Sequence, residues 1–512
     1  MSPEVFKAKL FEVETGQNSI LLNQRDIESF GLHAGVRVEA SMGDKNVVAV
    51  VDVTRTMVDE GEVGAFTEVT DRLSLSEEDK VKIAPVSHPE SIGFIRKMMK
   101  GNDLSSGEIH AIVKDIVEGR LTSSEITAFL VTQEIRNLSI QETADLTRSM
   151  VETGDTIELD EEPVLDVHSI GGIPGNKYSL LTVPIVASAG LTIPKTSSKA
   201  ITSPAGTADI MGLLADVSLT LEEISNIVRK VGGVLAWGGA VNLAPADDIL
   251  VRLERPLGID PRSQLLASIL SKKLSVNTDM ILIDIPTGPG AKMETDEDSK
   301  NLAHDFISLG HELNVEVETV LTYGGQPLGY AVGPGLEARE ALETLQGNGP
   351  NSLIEKSTGL AGILLEMGDS APLGQGTKVA MDILKSGKAY NKMQEIIEAQ
   401  GGDPDVKMDD LPIGDKKEVI SASKEGYVKR IYNSRIRDIA RTAGAPRDPG
   451  AGIKLFYKEG REIDKGDPIL EIYAEHENKL EDAIKMAKKN KPFRIEGMML
   501  ERVSKRTRTD LS

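Results

Sequence analysis

Two segments rich in glycine and hydroxyl side chains carry the residue types that bind phosphate. The first reads HSIGGIPG over residues 168–175 and follows an apolar run at residues 164–167 that is typical of a buried strand. Glycine lets backbone N–H groups approach an anion, and a helix predicted over residues 178–188 directs its N-terminal N–H groups to the same place. Strand, glycine loop and helix together predict a phosphate-binding loop.

The second segment follows another short predicted strand near residues 191–193. It places five hydroxyl groups and one ammonium group within eleven positions, on Ser197, Ser198, Lys199, Thr202, Ser203 and Thr207. Either segment alone also fits a tight turn or a solvated loop. Their succession within one βαβ-like unit favours an anion-binding site.

DVHSIGG followed by SSKAITSPAGTAD resembles the paired phosphate-binding segments of the thymidine phosphorylase family, and most closely those of its archaeal branch, the AMP phosphorylases. The resemblance covers roughly residues 104–495. It implies that Ser169, Ser197 and Thr207 hold an attacking phosphate. It also implies a nucleotide pocket formed by Gly172, Ser198, Lys199, Ala200, Ile201, Thr202, Ser203 and Thr207.

The family usually has a lysine before the histidine of the first segment, where this chain has Val167. We therefore interpret Lys177 or Lys199 as the cation that accompanies the phosphate. His168 is included as a catalytic candidate because it adjoins the phosphate loop and could act electrostatically. Packing at the end of a strand is the alternative role for this histidine.

A third candidate region reads GIDPRSQLLASILSKKL over residues 258–274. Asp260 followed by Pro261 has the pattern of a helix N-cap and a first-turn proline. The resemblance implies instead that Asp260 donates a proton and that Ser268, on the same helix, contacts the nucleotide. These roles of Asp260 conflict, because a capping carboxylate accepts N–H bonds and resists protonation.

The apolar run at residues 277–285 predicts a buried strand that leads into the loop PTGPGAK, which ends at Lys292. Ligands of open α/β sheets bind at the carboxyl ends of strands. By resemblance, pyrimidine nucleoside phosphorylases have phenylalanine at the position of Lys292, whereas AMP phosphorylases have lysine. A cation here suits a substrate with a 5′-phosphate, and an exposed loop lysine is the alternative.

Composition excludes several other classes of protein. The chain has no cysteine and seven histidines without ligand-like spacing, so we expect no metal site and no cofactor. A net charge of -22 disfavours DNA or RNA as a partner, but not a mononucleotide. No apolar run is long enough for a bilayer and no signal-peptide core is present, so we expect a cytoplasmic protein without membrane contacts.

With 512 residues the chain should fold as several domains of a multidomain α/β protein. Residues 1–87 predict a β-rich domain that resembles a double-psi barrel. Three capping boxes predict a helical bundle over residues 88–155 plus 244–276. A central mixed α/β domain is expected at residues 156–243 plus 277–405, and an α+β domain at residues 406–512 with a basic helix and tail over residues 485–508.

The predicted activity is phosphorolysis of a nucleoside 5′-monophosphate, with AMP and phosphate giving adenine and ribose 1,5-bisphosphate. CMP and UMP remain possible substrates. The resemblance also implies a homodimer or a larger homo-oligomer. Three alternatives stay open: a pyrimidine nucleoside (thymidine) phosphorylase, an enzyme like anthranilate phosphoribosyltransferase, and a non-catalytic nucleotide sensor.

Overall fold

The computed structural model of the chain describes residues 4–159, 162–200 and 203–499. The described residues form two compact units. The first comprises the chain up to Asp155 together with Ala244–Ser271, and the second comprises Thr156–Leu243 together with the chain from Lys272 onwards. Within the described ranges, no helix combines the length and the apolar character that a membrane span requires.

Six strands at the start of the chain close into a barrel, in the order β1-β5-β2-β4-β3-β6. Inward-facing residues such as Ile20, Leu22, Val38 and Val51 are fully buried and form the barrel core. The β-rich first domain predicted from the sequence is therefore confirmed. Its elements are β1 (Glu4–Phe11), β2 (Ser19–Asn23), α1 (Gln24–Phe30), β3 (Arg37–Met42), β4 (Lys45–Thr54), β5 (Glu62–Phe66), α2 (Thr67–Leu73) and β6 (Lys80–Pro85).

A helical bundle follows the barrel, as predicted, and consists of α3 (Ser91–Met99), α4 (Ser106–Val117), α5 (Ser123–Arg136) and α6 (Ile140–Glu152). Its last three helices begin with the three predicted capping boxes: Ser105 with Glu108, Thr122 with Glu125, and Ser139 with Glu142. Each box satisfies two N–H groups that a helix start leaves unpaired. A cap of this kind contributes about 1 kcal/mol to stability.

The second unit begins with a parallel arrangement of strands and helices. Its elements are β7 (Leu165–Ser169), α7 (Ser179–Ser188), β8 (Ile193–Ser197), α8 (Thr207–Met211), α9 (Leu221–Val231) and β9 (Gly233–Trp237). β8 pairs in parallel with β9, and a parallel bridge between Val164 and Thr192 joins β7 to β8. The predicted strand, glycine loop and helix are thus confirmed.

The chain then returns to the first unit with α10 (Pro245–Leu257) and with α11 (Arg262–Leu274) as far as Ser271. Ala246, Leu250 and Ala267 of these helices join the core of the bundle. α11 begins one residue later than the Asp-Pro pattern predicts. The Pro261 carbonyl accepts the Leu265 amide at 2.9 Å, so Pro261 occupies the N-cap position that was predicted for Asp260, and Arg262 is the first helical residue.

The chain next completes the central sheet with β10 (Met280–Thr287), α12 (Asp296–Leu313) and β11 (Glu316–Tyr323). β10 lies between β7 and β11 and pairs in parallel with both. Every residue of β10 after Met280 is buried, as expected for a central strand of a parallel sheet. The segment ends with β12 (Ala331–Val332), α13 (Pro334–Leu345), α14 (Asn351–Met367), α15 (Gly376–Lys385) and α16 (Lys388–Ala399).

The last part of the chain is an α+β region, as predicted. Its elements are β13 (Lys416–Ser421), β14 (Gly426–Ile431), α17 (Asn433–Thr442), β15 (Gly452–Leu455), β16 (Glu462–Ile463), β17 (Pro468–Ala474), α18 (Glu477–Asn490) and β18 (Phe493–Glu496). The strands form the sheets β12-β15-β17-β13 and β16-β14-β18. The prediction of a helix and tail over residues 485–508 is wrong at β18, which pairs with β14 through Ile495 and Val428. The multidomain α/β class is confirmed.

Candidate active site

The two predicted phosphate-binding segments begin at the carboxyl ends of neighbouring parallel strands. Ser169 is the last residue of β7, and Ser197 is the last residue of β8. β10 also runs parallel to β7 and ends at Thr287. β7 and β10 belong to one sheet and β8 to another, and the parallel bridge between Val164 and Thr192 places β7 beside β8. The segments therefore follow the carboxyl ends of parallel strands, where α/β proteins bind ligands.

The first segment is a tight loop around Ser169. The Ser169 Oγ accepts hydrogen bonds from the Gly171 amide at 3.3 Å and from the Asn176 side chain at 3.0 Å. Gly172 has a φ of +93°, and a Cβ atom at this position would lie 2.6 Å from the Lys292 backbone nitrogen. The loop therefore packs directly against the segment after β10 that carries Lys292, whose side chain is exposed.

The second segment is folded back on itself by Asp209. The Asp209 Oδ2 accepts the amides of Ala200 at 2.5 Å and of Gly206 at 2.9 Å, and Thr207 is the first residue of α8. Ser198 and Lys199 are exposed in this loop. Ser203 donates its hydroxyl to the Ala205 carbonyl at 3.1 Å. Ile201 and Thr202, both predicted to line the nucleotide pocket, lie outside the described residues.

Asp209 was not predicted as a site residue, although the sequence contains a signal for it. A carboxylate three residues after the glycine that precedes a helix has the spacing of a capping box. The Asp209 carboxylate uses that spacing to hold both ends of the loop between Ala200 and Gly206. It therefore determines the shape of the segment that contains the predicted substrate contacts.

Replacing Asp209 with alanine is expected to raise the KM for phosphate about tenfold, because one charge-assisted hydrogen bond to a buried or ordered group contributes about 1.5–3 kcal/mol. Steady-state kinetics with varied phosphate measures this change. Glu222→Ala, in the exposed first turn of α9, serves as the matched control. An unchanged phosphate KM in a folded Asp209→Ala protein would contradict the role of this carboxylate in shaping the loop.

Lys199 lies against Trp237, the last residue of β9. Its Nζ is 3.9 Å from the centre of the indole ring. Such a cation–π contact contributes about 0.5–1 kcal/mol at an exposed site, so it favours one position for a side chain that would otherwise be mobile. Trp237 itself packs against the core of the second unit, so its indole ring joins that core to Lys199.

Lys177 is a structural residue, and its interpretation as the cation that accompanies the phosphate is wrong. Its side chain is fully buried, with Nζ 2.8 Å from the Glu340 carboxylate. The same ammonium donates to the carbonyls of Gly175 at 2.9 Å and Ala331 at 3.2 Å. Lys177 therefore ties the first loop to the chain between β11 and α13, and its charge is already compensated.

Lys177→Met is expected to lower the free energy of unfolding by about 3–5 kcal/mol, because it leaves the Glu340 carboxylate buried without its partner. Denaturant unfolding measures the change. The double variant Lys177→Met with Glu340→Gln removes both charges and should recover part of the loss. A single-variant loss below about 1 kcal/mol, the level of an exposed ion pair, would contradict this assignment.

Three buried charged residues, Asp166, Lys195 and Lys273, form a cluster next to the strands that lead into the two loops. None of the three was predicted from the sequence. The Lys273 Nζ is 2.8 Å and the Lys195 Nζ 3.9 Å from the Asp166 carboxylate. Both ammonium groups donate to the Thr196 carbonyl, at 3.0 Å from Lys273 and 2.8 Å from Lys195. Burial, and then the neighbouring Lys273, lower the pKa of Lys195 to about 7. Charged residues inside the apolar runs of β7 and β8 were the available signal.

His168 lies at the end of β7 next to this cluster. Burial is the first cause that holds the pKa of His168 well below its usual value, followed by the charges of Lys195, Lys273, Lys272 and Lys292. His168 is therefore neutral near neutral pH. It can therefore offer a ligand a neutral, hydrogen-bonding imidazole, but not a positive charge.

Asp260 and Ser268 belong to the first unit, whereas the phosphate-binding segments belong to the second. Asp260 is exposed and precedes α11 by two residues. Ser268 is partly buried in the middle of α11, and its carbonyl accepts the Ser271 hydroxyl at 3.4 Å.

Within the described ranges, the side chains of Asp448, Glu475 and His476 form a cluster whose potential metal-ligand atoms lie within 4.8 Å of one another. The Asp448 carboxylate pairs with Lys479 at 2.6 Å, and Glu475 accepts the Gly450 amide at 2.7 Å. Both carboxylates thus already have protein partners, and these residues lie outside the segments described above.

Three family models match successive parts of the chain. The helical bundle domain of the glycosyl transferase family matches residues 92–154, and the a/b domain of the same family matches residues 161–390. The pyrimidine nucleoside phosphorylase C-terminal domain matches residues 427–494. Anthranilate phosphoribosyltransferase from Thermus thermophilus has a similar fold: its structure aligns with a TM-score of 0.52 at 18% identity, covering 60% of this chain and 99% of that one.

Curated relatives match nearly the whole chain. The AMP phosphorylase of Thermococcus kodakarensis is 53% identical, covering 97% of this chain and 99% of its own length. The AMP phosphorylases of Pyrococcus furiosus and Methanothrix thermoacetophila are 51% and 49% identical, each covering 97% of this chain and 98% of their own length. The chain therefore belongs to the AMP phosphorylase family.

Proposed function

We propose that this protein catalyses the phosphorolysis of nucleoside 5′-monophosphates, with AMP as the main substrate. Inorganic phosphate attacks C1′ of the ribose, and the bond from C1′ to the base breaks. The electron pair of that bond leaves with the base, which takes up a proton. The products are adenine and ribose 1,5-bisphosphate.

The main observation in support of this proposal is the pair of hydroxyl-bearing loops that follow the neighbouring parallel strands β7 and β8. Ser169 and Ser197 end two neighbouring parallel strands, and Asp209 holds the second loop in shape. An enzyme that transfers a sugar from a base to phosphate must hold both reactants in one geometry, which can remove a large part of the entropic barrier. Two loops on adjacent strands supply that geometry.

The proposed site residues fall into two groups, one for the attacking phosphate and one for the nucleotide. Ser169, Ser197 and Thr207 hold the attacking phosphate. Gly172, residues 198–203 and Thr207 line the nucleotide pocket, and Lys292 binds the 5′-phosphate. Ser268 orients the nucleotide and Asp260 protonates the departing base.

Incubation of the purified protein with AMP, CMP, UMP or thymidine, each with and without phosphate, tests the proposal. We expect free adenine from AMP only when phosphate is present, as measured by chromatography of the released bases. Release of thymine from thymidine without action on AMP would support a pyrimidine nucleoside phosphorylase instead.

Two further results would contradict the proposal. Binding of AMP without phosphate-dependent release of adenine would indicate a nucleotide sensor. Activity that requires Mg²⁺ and a sugar donor carrying pyrophosphate would indicate a phosphoribosyltransferase, the activity named for the fold relative from Thermus thermophilus.

We also propose that the protein acts on its small-molecule substrates as a homodimer or a larger homo-oligomer in the cytoplasm. This proposal rests on the family resemblance. Light scattering coupled to size-exclusion chromatography measures the mass of the assembly in solution. A mass equal to that of the single chain, 55.1 kDa, would contradict it.

A further inference from the structure

A phosphate-binding loop needs positive charge nearby, and neither loop obtains it from Lys177. Residues 168–175 contain no lysine or arginine, and the ammonium group of Lys177 is paired with Glu340. Hydroxyl and N–H groups bind a phosphate, but a dianion removed from water also requires charge compensation. Asp166 on β7 and Lys195 on β8 are buried charges within the two strands that lead into the loops, and Lys273 lies beside both of them.

We propose that Lys195 is a positioning residue for the attacking phosphate, and that it supplies an uncompensated positive charge behind the two loops, with Lys273 neutralising Asp166. This inference deepens the proposed function. It assigns to Lys195 a role that acts through the loops, without contact with the reacting atoms.

The placement of the ammonium group supports this role. Lys195 lies on β8 two residues before Ser197, and its Nζ donates to the carbonyl of the intervening Thr196 at 2.8 Å. The charge therefore lies immediately behind the strand end from which the second loop begins. His168, at the end of β7, is also within the field of Lys195, so this charge reaches the start of the first loop.

The charge balance of the cluster leaves one cation in excess. Asp166 is fully buried and has two ammonium groups beside it. Lys273 makes the close ion pair, at 2.8 Å, whereas Lys195 remains 3.9 Å from the carboxylate. Burying a surplus ammonium group destabilises a folded protein unless another charge compensates it. A bound anion at the loops would provide that compensation.

The titration of Lys195 provides a second line of support. Its amine faces Asp166 on β7 and Lys273 at the end of α11, and its pKa lies at about 7, because burial and Lys273 lower it. His168, which adjoins the cluster, is neutral near neutral pH. While the loops are empty, Lys195 therefore loses its charge as the pH rises through about 7, and a bound anion would favour the protonated form.

The direct test is calorimetric titration of inorganic phosphate into the full-length protein without nucleotide. Lys195→Met is expected to weaken phosphate binding roughly tenfold to a hundredfold, as expected for the loss of a charged partner. In turnover assays the KM for phosphate should rise by a similar factor, with the KM for AMP nearly unchanged. Because the titration requires no reaction, it tests Lys195 even if AMP phosphorolysis is not observed.

Lys458→Met is the matched control. Lys458 is a partly buried lysine of the second unit whose pKa is also lowered to about 7 by burial, and it donates to the Pro327 carbonyl, between β11 and β12, instead of to the strand ends of β7 and β8. The control variant should bind phosphate as the unmodified protein does. Wild-type phosphate affinity in a folded Lys195→Met protein would overturn the proposal, and so would equal losses for phosphate and AMP, which indicate a merely structural role.

A pH profile of the unmodified protein keeps the proposal testable if Lys195→Met does not fold. Sulfate is the probe, because it remains a dianion throughout the neutral range and its own titration does not interfere. Sulfate binding should weaken as the pH rises through about 7, where Lys195 loses its proton. A flat profile in the unmodified protein would overturn the proposal, and so would an unchanged slope in a folded Lys195→Met protein.

Discussion

Lys292→Phe is expected to raise the KM for AMP about a hundredfold while leaving the KM for phosphate nearly unchanged. The proposed contact is a charge-assisted hydrogen bond between the lysine and the 5′-phosphate, and such bonds contribute up to about 3 kcal/mol, or a hundredfold in affinity. Lys292 is exposed beside Gly172, so the substitution should leave the packing of the sheet intact. Steady-state kinetics with varied AMP measures the effect.

The informative comparison uses adenosine, which lacks the 5′-phosphate. The variant should treat adenosine no worse than the unmodified protein does, because the lost contact is absent from that substrate. Lys300→Phe, an exposed lysine in α12, is the matched control for adding an aromatic ring to the surface. Equal losses for AMP and adenosine would contradict the assignment of Lys292 to the 5′-phosphate.

Asp260→Asn is expected to lower kcat about a hundredfold to ten-thousandfold, the range over which a general acid contributes to catalysis. Asparagine keeps the size and hydrogen-bonding capacity of aspartate but cannot deliver the proton that the departing base needs. The KM values for AMP and phosphate should change little, because the lost interaction belongs to the transition state. Turnover at saturating concentrations of both substrates measures the effect.

The same variant distinguishes the two roles that the sequence left open for Asp260. If this residue only stabilised the start of α11, Asp260→Asn would lower the unfolding temperature slightly and leave kcat unchanged, because asparagine is also a good helix cap. Asp296→Asn, in the exposed first turn of α12, provides a control for an aspartate at a helix start. A kcat within threefold or so of the unmodified value would remove Asp260 from the proposed mechanism.

Local sequence patterns predicted the elements that depend on neighbouring residues. The capping box of Ser105 with Glu108 is satisfied within one turn, so its two residues suffice to predict where α4 begins. The loop at Gly172 was equally predictable, since a strand, a glycine pair and a helix follow one another in the sequence. Both features therefore needed no information from distant parts of the chain.

Features that depend on distant residues were not predicted correctly. Lys177 was assigned to the phosphate because its partner, Glu340, comes from α13, far along the chain. The cluster behind the loops was missed for the same reason: Lys273 comes from the last turn of α11 and joins Asp166 and Lys195 only in the folded unit. Buried charges cannot be paired from sequence spacing alone, since their partners are set by tertiary packing.

The contact between Gly172 and the backbone of Lys292 has a consequence for substrate length. A side chain at position 172 would begin 2.6 Å from the Lys292 nitrogen, so any residue larger than glycine would push the two segments apart. Under the proposed roles, one segment receives the phosphate that attacks C1′ and the other receives the phosphate on C5′. The lack of a side chain at position 172 then keeps the two proposed phosphate sites close together, at a spacing that suits a single pentose with phosphate on C1′ and on C5′.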